Sequence, residues 1–152
     1  MPLERVKSFL KSFPDLKIIL FDQSTHTSEL AAEALGVKPA QIAKTLVFLA
    51  DGQPLLVVTC GDKKINTKKL TKLLGVKKVR FADGETVAES TGFPPGGVSP
   101  IGLLKEIPLY LDQSLWDFEI VYAAAGTANS ALPVSPDRLC EITKAKVIDV
   151  CC

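Results

Sequence analysis

The sequence is poor in the residues that hold metals or act as nucleophiles, because it contains one histidine and four cysteines among 152 residues. No pair of cysteines has the Cys-x-x-Cys spacing of a zinc or redox site. The Walker loop, the dinucleotide-binding glycine fingerprint and the His-Glu-x-x-His motif are absent as well. These absences predict a protein without a metal or a bound cofactor, and with its thiols reduced.

Long hydrophobic runs are also absent. No apolar stretch approaches the ~20 residues of a membrane-spanning helix, and the first residues lack the apolar core of a signal peptide. Hydrophobic residues make up 47% of the sequence and charged residues 23%, which excludes an intrinsically disordered chain. We therefore expect a single cytoplasmic domain over residues 1–152, with no membrane partner and with roughly 70% of its unfolded surface buried.

No residue stands out as a protein nucleophile. Ser99 precedes Pro100, which disfavours the α conformation that the Gly-x-Ser-x-Gly elbow of serine hydrolases needs. Cys60 stands in an apolar stretch typical of a core strand. His26 stands just before the start of a predicted helix, where an exposed polar residue is ordinary, and a general-base role is its alternative. The sequence thus disfavours a serine or cysteine hydrolase.

Hydrophobic periodicity and turn residues predict a mixture of helices and strands. Helices are predicted over residues 2–13, 29–35, 66–74, 84–90 and 136–143. Strands are predicted over residues 17–21, 45–49, 54–59, 78–82, 107–111, 119–124 and 146–150. Ser28 and Asn66 are predicted helix N-caps, and Asp51 and Gly52 favour a hairpin turn. This order predicts an α+β fold with a mixed, barrel-like β-sheet and peripheral helices.

Basic residues are concentrated in one segment. Eight of the eighteen lysines and arginines lie between Asp62 and Asp83, and no acidic residue lies among them. The predicted helix in this segment places Lys68, Lys69 and Lys72 on its outer face. A basic face suits a polyanion such as RNA, and a lysine-rich helix that is merely solvated is the alternative.

The stretch from Thr91 to Gly102 contains four glycines and three prolines in twelve residues. Proline fixes φ, and glycine permits the backbone to approach a ligand closely. Such a loop can point two backbone N–H groups, those of Gly96 and Gly97, at one oxygen. This arrangement stabilises an oxyanion without a charged side chain.

A polar site can be assembled from the remaining candidates. Lys44 adjoins Thr45 at the start of a predicted strand, and a second glycine loop covers residues 125–130. Hydroxyl groups are available from Thr25, Thr27, Ser28, Ser99, Thr127 and Ser130. These groups can bind a polar, anionic or ester-bearing ligand without a metal, and a surface position is the alternative for Lys44.

Three motifs, in this order, resemble one known family. They are Ile42-Ala43-Lys44-Thr45-Leu46-Val47-Phe48, the loop from Thr91-Gly92 through Gly96-Gly97-Val98-Ser99-Pro100-Ile101-Gly102, and the glycine loop at 125–130. Together they resemble the YbaK/ProX aminoacyl-tRNA deacylases, relatives of the editing domain inserted in bacterial prolyl-tRNA synthetases, over about residues 15–150. The resemblance implies a mixed β-barrel with peripheral helices. It also implies trans hydrolysis of the ester between a mischarged amino acid and the terminal adenosine of a tRNA.

Roles for individual residues follow from the resemblance. Lys44 would hold the terminal nucleotide and the ester by charge-assisted hydrogen bonds, and the N–H groups of Gly96 and Gly97 would bind the tetrahedral oxyanion. Water, or a hydroxyl or thiol of the substrate, would attack the ester. The implied substrate contacts are Phe21, Thr25, Thr27, Thr45, Leu46, Val98, Ser99, Gly126, Thr127, Asn129 and Ser130.

The implied partners are aminoacyl-tRNA, with Lys68, Lys69 and Lys72 on its acceptor stem, and prolyl-tRNA synthetase. Residues 124–126 read Ala-Ala-Gly where the cysteinyl-specific subgroup has Ser-Gly-Gly, and residues 127–129 lack the histidine of the alanyl-specific subgroup. The implied substrate is therefore a small amino acid such as Ala, Cys, Ser or Thr, carried on proline tRNA. The alternative from another class is a module that binds tRNA ends, or a synthetase, without hydrolysis.

Overall fold

In the computed structural model, which describes residues 2–21, 27–95, 97–127 and 129–151, the chain folds around one mixed β-sheet. The strands are β1 (Ile19–Leu20), β2 (Ile42–Ala50), β3 (Gln53–Cys60), β4 (Val79–Phe81), β5 (Leu109–Asp112), β6 (Val121–Ala123), β7 (Ser130–Val134) and β8 (Lys146–Ile148). The helices are α1 (Pro2–Leu10), α2 (Ser28–Leu35), α3 (Thr67–Leu74), α4 (Gly84–Thr91) and α5 (Pro136–Thr143). This architecture confirms the predicted α+β class. None of the helices described here has the length and apolarity that crossing a membrane requires.

The antiparallel hairpin of β2 and β3 forms the centre of the sheet. Its turn contains Asp51 and Gly52, whose φ angles of 49° and 84° lie in the left-handed region. The strands follow the order β1, β7, β6, β2, β3, β5, β8, and β4 pairs with the far end of β2. β6 runs parallel to β2, β5 to β3 and β8 to β5. The predicted hairpin is thus confirmed, within a sheet that mixes parallel and antiparallel pairs.

Both faces of the central hairpin are buried. On one face, Val47 and Leu56 belong to a large core to which α1, α4 and α5 contribute. On the other face, Phe48 and Val57 pack against Leu70 of α3, which is fully buried. Burial on both faces explains why β2 and β3 are near-continuous hydrophobic runs rather than alternating ones.

Some element boundaries differ from the sequence prediction. α1 ends at Leu10 rather than at Phe13, because Phe13 precedes Pro14 and is therefore disfavoured in the α conformation. The N-cap of α2 is Thr27 and not Ser28: the Thr27 Oγ1 accepts a hydrogen bond from the backbone N–H of Leu30 (3.1 Å). The remaining predicted helices and strands are present, with ends shifted by a few residues.

One strand, β7, was not predicted from the sequence. It contains Pro133, and a proline inside a run argues against a strand because it cannot donate a ladder hydrogen bond. In the structure β1 pairs only with Ser130 and Ala131 of β7, so Pro133 lies beyond the end of β1. One edge of β7 therefore has no partner strand among the described residues at Pro133, and a strand edge tolerates proline.

Asp112, at the end of β5, ties the C-terminal segment to the core although only 1% of its surface is exposed. Its carboxylate accepts hydrogen bonds from the backbone N–H groups of Ser114 (3.0 Å) and Val150 (2.9 Å). Burial alone would raise the pKa of Asp112, but the hydrogen bonds from Ser114 and Val150 outweigh it and hold that pKa below its usual value. The ionised form is thus the form that the fold stabilises.

We expect Asp112→Asn to lower the free energy of unfolding at neutral pH by about 2 kcal/mol, because an amide offers one acceptor to two N–H donors. The folded pKa lies below the unfolded value near 3.9, so the stabilisation is complete above that pH and is lost as pH falls through the folded pKa. Urea unfolding between neutral pH and about pH 3 should show the difference from wild type narrowing toward acid. An equal loss in the exposed control Asp62→Asn, or a difference independent of pH, would contradict this role.

Candidate functional site

The sheet opens beside the first half of β2. Along one edge, residues 43–50 of β2 pair continuously with β3. Along the other edge, β6 pairs only with Ile42 and Ala43, and β4 pairs only with residues 48–50. Between these two partners, no described strand pairs with residues 44–46. Among the described residues, this part of the edge of β2 is therefore without a strand partner.

A cavity of about 250 Å³ lies at this opening. Seven of the predicted site residues line it, namely Thr27, Lys44, Thr45, Leu46, Val98, Thr127 and Ser130. The described lining is completed by Ser28, Ala31, Leu35, Ile42, Ala43, Tyr122, Ala123, Ala124 and Ala131. The fold thus brings together α2, β2, β6, β7 and the two glycine loops at one cavity. The sequence motifs did not indicate Ala31, Tyr122, Ala123 or Ala131.

A glycine positions Lys44 at the cavity. The Lys44 Nζ donates a hydrogen bond to the backbone C=O of Gly61 (3.4 Å), which leaves further N–H donors of the ammonium group for a ligand. Gly61 lies against the start of α2, where a Cβ would lie 2.6 Å from the Cβ of Ser28 and would collide with the backbone oxygen of Pro39. A side chain at position 61 would therefore displace α2 or the carbonyl group that holds Lys44. Nothing in the local sequence around Gly61 distinguishes it from an ordinary turn glycine.

Thr45 lines the same cavity, and its side chain lies on the opposite face of β2 from that of Lys44. Among the residues that the structure describes, the Thr45 Oγ1 is the one buried side-chain polar atom without a hydrogen-bond partner. Buried polar atoms are nearly always paired, since an unpaired one costs about 1–3 kcal/mol. An orphaned hydroxyl in a cavity wall indicates a position where a ligand supplies the missing partner.

We expect Thr45→Val, which replaces the hydroxyl by a methyl group of similar shape, to leave stability unchanged or to raise it by up to about 1 kcal/mol. If this chain cleaves the ester that the family resemblance implies, the same change should lower kcat/KM about tenfold, because the substrate loses a hydrogen bond. Thermal unfolding and ester cleavage measured on one preparation test both parts. A destabilised variant with full activity would instead assign the hydroxyl a structural role.

The glycine–proline loop is predicted to lie at the cavity, and only part of it does so. Val98 lines the cavity, and Gly97 packs on the second glycine loop, where a Cβ would lie 3.1 Å from the Cα of Thr127. The Gly97 N–H donates to the C=O of Pro94 (3.0 Å), so in this structure it is not directed at a ligand. Gly96 lies outside the described residues. The oxyanion role of these two N–H groups stays a prediction.

Four predicted contact residues stand outside the described cavity lining. The backbone N–H of Phe21 donates to the C=O of Asn129 (3.0 Å), which fixes the chain after β1 to the second glycine loop. Ser99 is fully buried, and its Oγ accepts a backbone hydrogen bond within its own loop. Gly126 is buried with a φ of 102°. These residues shape the loops around the cavity. Thr25, a fifth predicted contact, lies outside the described residues.

Side-chain hydrogen bonds stiffen the second glycine loop. The Thr127 Oγ1 lies 2.7 Å from the Asn129 Oδ1 and 2.9 Å from the Ser130 Oγ. The Ser130 hydroxyl in turn donates to the backbone C=O of Thr127 (3.1 Å). Asn129 thus acts on the cavity through Thr127, and the loop presents a preformed polar wall.

Two thiols near the sheet are held in their protonated form. Burial raises the pKa of the Cys60 thiol, which donates to the backbone C=O of Ser114 (3.3 Å). Burial also raises the pKa of Cys151 to about 11, and its Sγ lies 3.1 Å from the Thr59 Oγ1. Neither thiol lines the cavity. In the described ranges, no three His, Cys, Asp or Glu side chains are grouped so that they could hold a metal ion.

The predicted tRNA contacts lie near the other end of β2. Lys68 and Lys72 line a groove between α3 and β4. Lys69 points elsewhere, because its Nζ pairs with the Asp149 Oδ1 (3.3 Å). β4 pairs with residues 48–50, so the groove lies about 20 Å from Lys44 along the strand.

The comparisons with known proteins agree with this geometry. A model of the aminoacyl-tRNA editing domain matches residues 22–142, a range that contains every described residue of the cavity lining. The chain therefore belongs to the aminoacyl-tRNA editing domain family, and the predicted resemblance is confirmed.

Individual relatives extend the match over most of the chain. The "Uncharacterized protein YwhH" of Bacillus subtilis (strain 168) is 44% identical over 133 residues, which are 86% of this chain and 84% of that protein. The "Putative Cys-tRNA(Pro)/Cys-tRNA(Cys) deacylase EbsC" of Enterococcus faecalis is 30% identical over 125 residues, 82% of this chain and 76% of that protein. The crystal structure of "a putative trans-editing enzyme for prolyl tRNA synthetase" has a TM-score of 0.92 and 36% identity, and the match covers 99% of this chain and 96% of the other.

Proposed function

We propose that this protein is a trans-editing deacylase that hydrolyses the ester between a small amino acid and the 3′ end of a mischarged tRNA. The observation that carries the proposal is the cavity at the open edge of β2, which both Lys44 and Thr45 line. Membership of the editing domain family supports it, as do the deacylase and trans-editing activities in the names of two similar proteins.

The size of the cavity favours the aminoacyl group as its occupant. About 250 Å³ is below the ~300–1,000 Å³ of sites that enclose a drug-sized ligand, so the terminal adenosine stays outside, beside Lys44. Five alanines in the described lining, Ala31, Ala43, Ala123, Ala124 and Ala131, leave room for a short side chain. A synthetase gains only about 1–3 kcal/mol per methylene and cannot exclude a smaller amino acid, which a second site must remove. The proposed substrates are Ala, Cys, Ser or Thr esters of proline tRNA, and prolyl-tRNA synthetase is the proposed partner.

The proposed reaction depends on positioning rather than on a protein nucleophile. Water attacks the ester carbonyl carbon, the bond to the ribose oxygen breaks, and this oxygen leaves with the proton that the water gives up. If a hydroxyl or thiol of the substrate attacks first, its proton goes to the ribose oxygen and water then opens the new ester or thioester. Lys44 donates a charge-assisted hydrogen bond to the ester or to the terminal nucleotide, since its ammonium group keeps free donors beside Gly61. The Gly97 N–H would have to leave Pro94 before it could bind the oxyanion, and the Gly96 N–H is the other predicted donor. Holding the ester in one geometry supplies the main rate enhancement.

We expect Lys44→Ala to lower kcat/KM about 100-fold or more, because it removes the charged donor of the site while the strand keeps its pairing with β3. The measurement is loss of ester from Ala-, Cys-, Ser- and Thr-charged proline tRNA, with circular dichroism as a check of the fold. Lys11→Ala, an exposed lysine that follows α1, is the matched control and should behave as wild type.

Two outcomes would decide against this mechanism. Unchanged turnover in Lys44→Ala would show that the ammonium group has no part in cleavage. If the wild-type protein cleaves none of the four esters yet still binds tRNA, the alternative of a non-catalytic module that holds tRNA ends is favoured.

The alanines that line the cavity should limit the size of the amino acid that it accepts. Ala31 lies on the cavity face of α2, and Ala31→Leu fills part of the cavity without a loss of helix propensity. We expect this variant to slow cleavage of the Thr ester about tenfold more than that of the Ala ester, as steric exclusion of one or two heavy atoms predicts. The control is Glu33→Leu on the exposed face of the same helix. An equal slowing of both esters would mean that Ala31 does not limit substrate size.

A further inference from the structure

Four lysines form a groove near the end of β2 that is farther from the cavity. Lys68 and Lys72 of α3 form one wall, and Lys77 and Lys78, which precede β4, form the other, around a volume of about 380 Å³. All four side chains are exposed, and no carboxylate lines the groove in the part of the chain that the structure describes. We call these four residues the lysine groove. It has the charge density that a run of phosphates requires.

One nearby carboxylate, that of Asp51, leaves the net charge of the four lysines positive. The Asp51 carboxylate accepts hydrogen bonds from the backbone N–H groups of Lys77 and Lys78 at 2.9–3.2 Å. Asp51 therefore fixes the backbone that carries the two lysines. Lys69, on the same helix, pairs with Asp149 and is not part of the groove.

An exposed aromatic ring lies between the lysine groove and the cavity. Phe81, the last residue of β4, is 57% exposed, although large apolar side chains of this chain are mostly buried. Its ring rests on that of Phe48, with centroids 4.6 Å apart and an angle of 34° between the planes. Phe48 is fully buried and packs in the core beneath it. The outer face of Phe81 is thus a supported, open platform of the kind on which unpaired bases stack.

The strand register places these features on one face of the sheet. Because β2 pairs with β3 without a break from residue 43 to residue 50, alternation puts Lys44, Leu46 and Phe48 on the same face. Phe81 lies directly opposite Phe48 and shares that face. The order from the cavity outward is therefore Lys44, Phe81 and the lysine groove. Measured along β2, Phe81 is about 13 Å from Lys44 and the groove is about 20 Å from it. A short stretch of single-stranded RNA can span these distances.

We propose, on the basis of the function proposed above, that the exposed surface formed by Phe81 and the lysine groove binds the 3′ arm of the tRNA. One unpaired base near the 3′ end stacks on Phe81, and the phosphates of the acceptor stem occupy the lysine groove. The terminal adenosine then reaches Lys44, and the aminoacyl group enters the cavity. Charge complementarity favours RNA over a protein partner, because the groove offers four cations to a row of phosphates. The ring beside the groove adds a surface on which any unpaired base can stack.

Binding of uncharged proline tRNA tests this assignment without any need for ester hydrolysis. Filter binding should be compared for full-length tRNA and for a transcript that lacks the unpaired 3′ nucleotides. We expect Phe81→Ala to weaken binding of the full-length tRNA roughly 5- to 100-fold, the effect of losing one base stack, and to leave binding of the truncated tRNA near the wild-type value. Phe81→Tyr, which keeps the platform, should retain wild-type binding and controls for a loss of fold.

Substitutions in the lysine groove should affect tRNA binding in a different way from Phe81→Ala. Alanine substitution of Lys72 and Lys78 should weaken binding of both transcripts, and should lower the slope of log affinity against log salt by about one for each lysine removed. The double change Lys11→Ala and Lys17→Ala, on exposed lysines that do not line the groove, should alter neither affinity nor slope.

Failure of this inference can be separated from failure of the deacylase proposal. If Phe81→Ala binds both transcripts as wild type does, or if the lysine variants keep the wild-type salt slope, the inference is wrong even though ester cleavage proceeds. If wild type cleaves no ester but the two signatures appear, the deacylase proposal fails and the RNA-binding face stands. A wild-type protein that binds no tRNA but binds prolyl-tRNA synthetase would make this face a protein interface and overturn the inference.

Discussion

The candidate site depends on how the two edges of β2 are paired. One edge is fully occupied by β3, and this pairing fixes the position and the alternation of every residue from 43 to 50. The other edge is shared between β6 and β4, which leave a gap of a few residues between them. Closing that gap with a strand would satisfy more backbone groups but would remove the opening. The gap therefore joins a rigid scaffold to an accessible backbone, which is the combination that a positioning catalyst requires.

Side chains alternate between the two faces of a strand, so neighbouring residues of β2 lie in different environments. Lys44 lies on the face of β2 that continues to Phe48 and Phe81, and Thr45 lies on the face that continues to Val47 and the main core. A slip of one residue in the register would exchange these two environments and place an ammonium group in the core. The long uninterrupted pairing with β3 prevents such a slip. The proposed split between a nucleotide face and an aminoacyl cavity thus follows from strand geometry.

Local signals in the sequence were sufficient to predict the hairpin turn at Asp51 and Gly52 and to bring Lys44 and Thr45 forward as candidates. They were insufficient for β7, because a proline such as Pro133 disfavours a strand. Proline is tolerated there because β1 pairs only with Ser130 and Ala131 and ends before it reaches Pro133, which the local sequence does not reveal. Gly61 was missed for a similar reason: its close contact with α2 joins residues far apart in the chain. Periodicity and capping act over a few residues, whereas the separation of two strand partners and the fit of a glycine are properties of the folded chain.

The proposed deacylation uses no protein nucleophile, so it needs another source of rate enhancement, which distant contacts can provide. Binding energy from parts of the substrate that do not react can be used to hold the reacting ester in a productive geometry. Phe81 of β4 pairs with Phe48 of β2, and the RNA contacts proposed at Phe81 and the lysine groove are about 13–20 Å from Lys44, measured along β2. Because β2 connects them rigidly, an RNA arm held there fixes how far the ester enters the cavity. Recognition of the tRNA and cleavage of its ester are then coupled through the register of one strand.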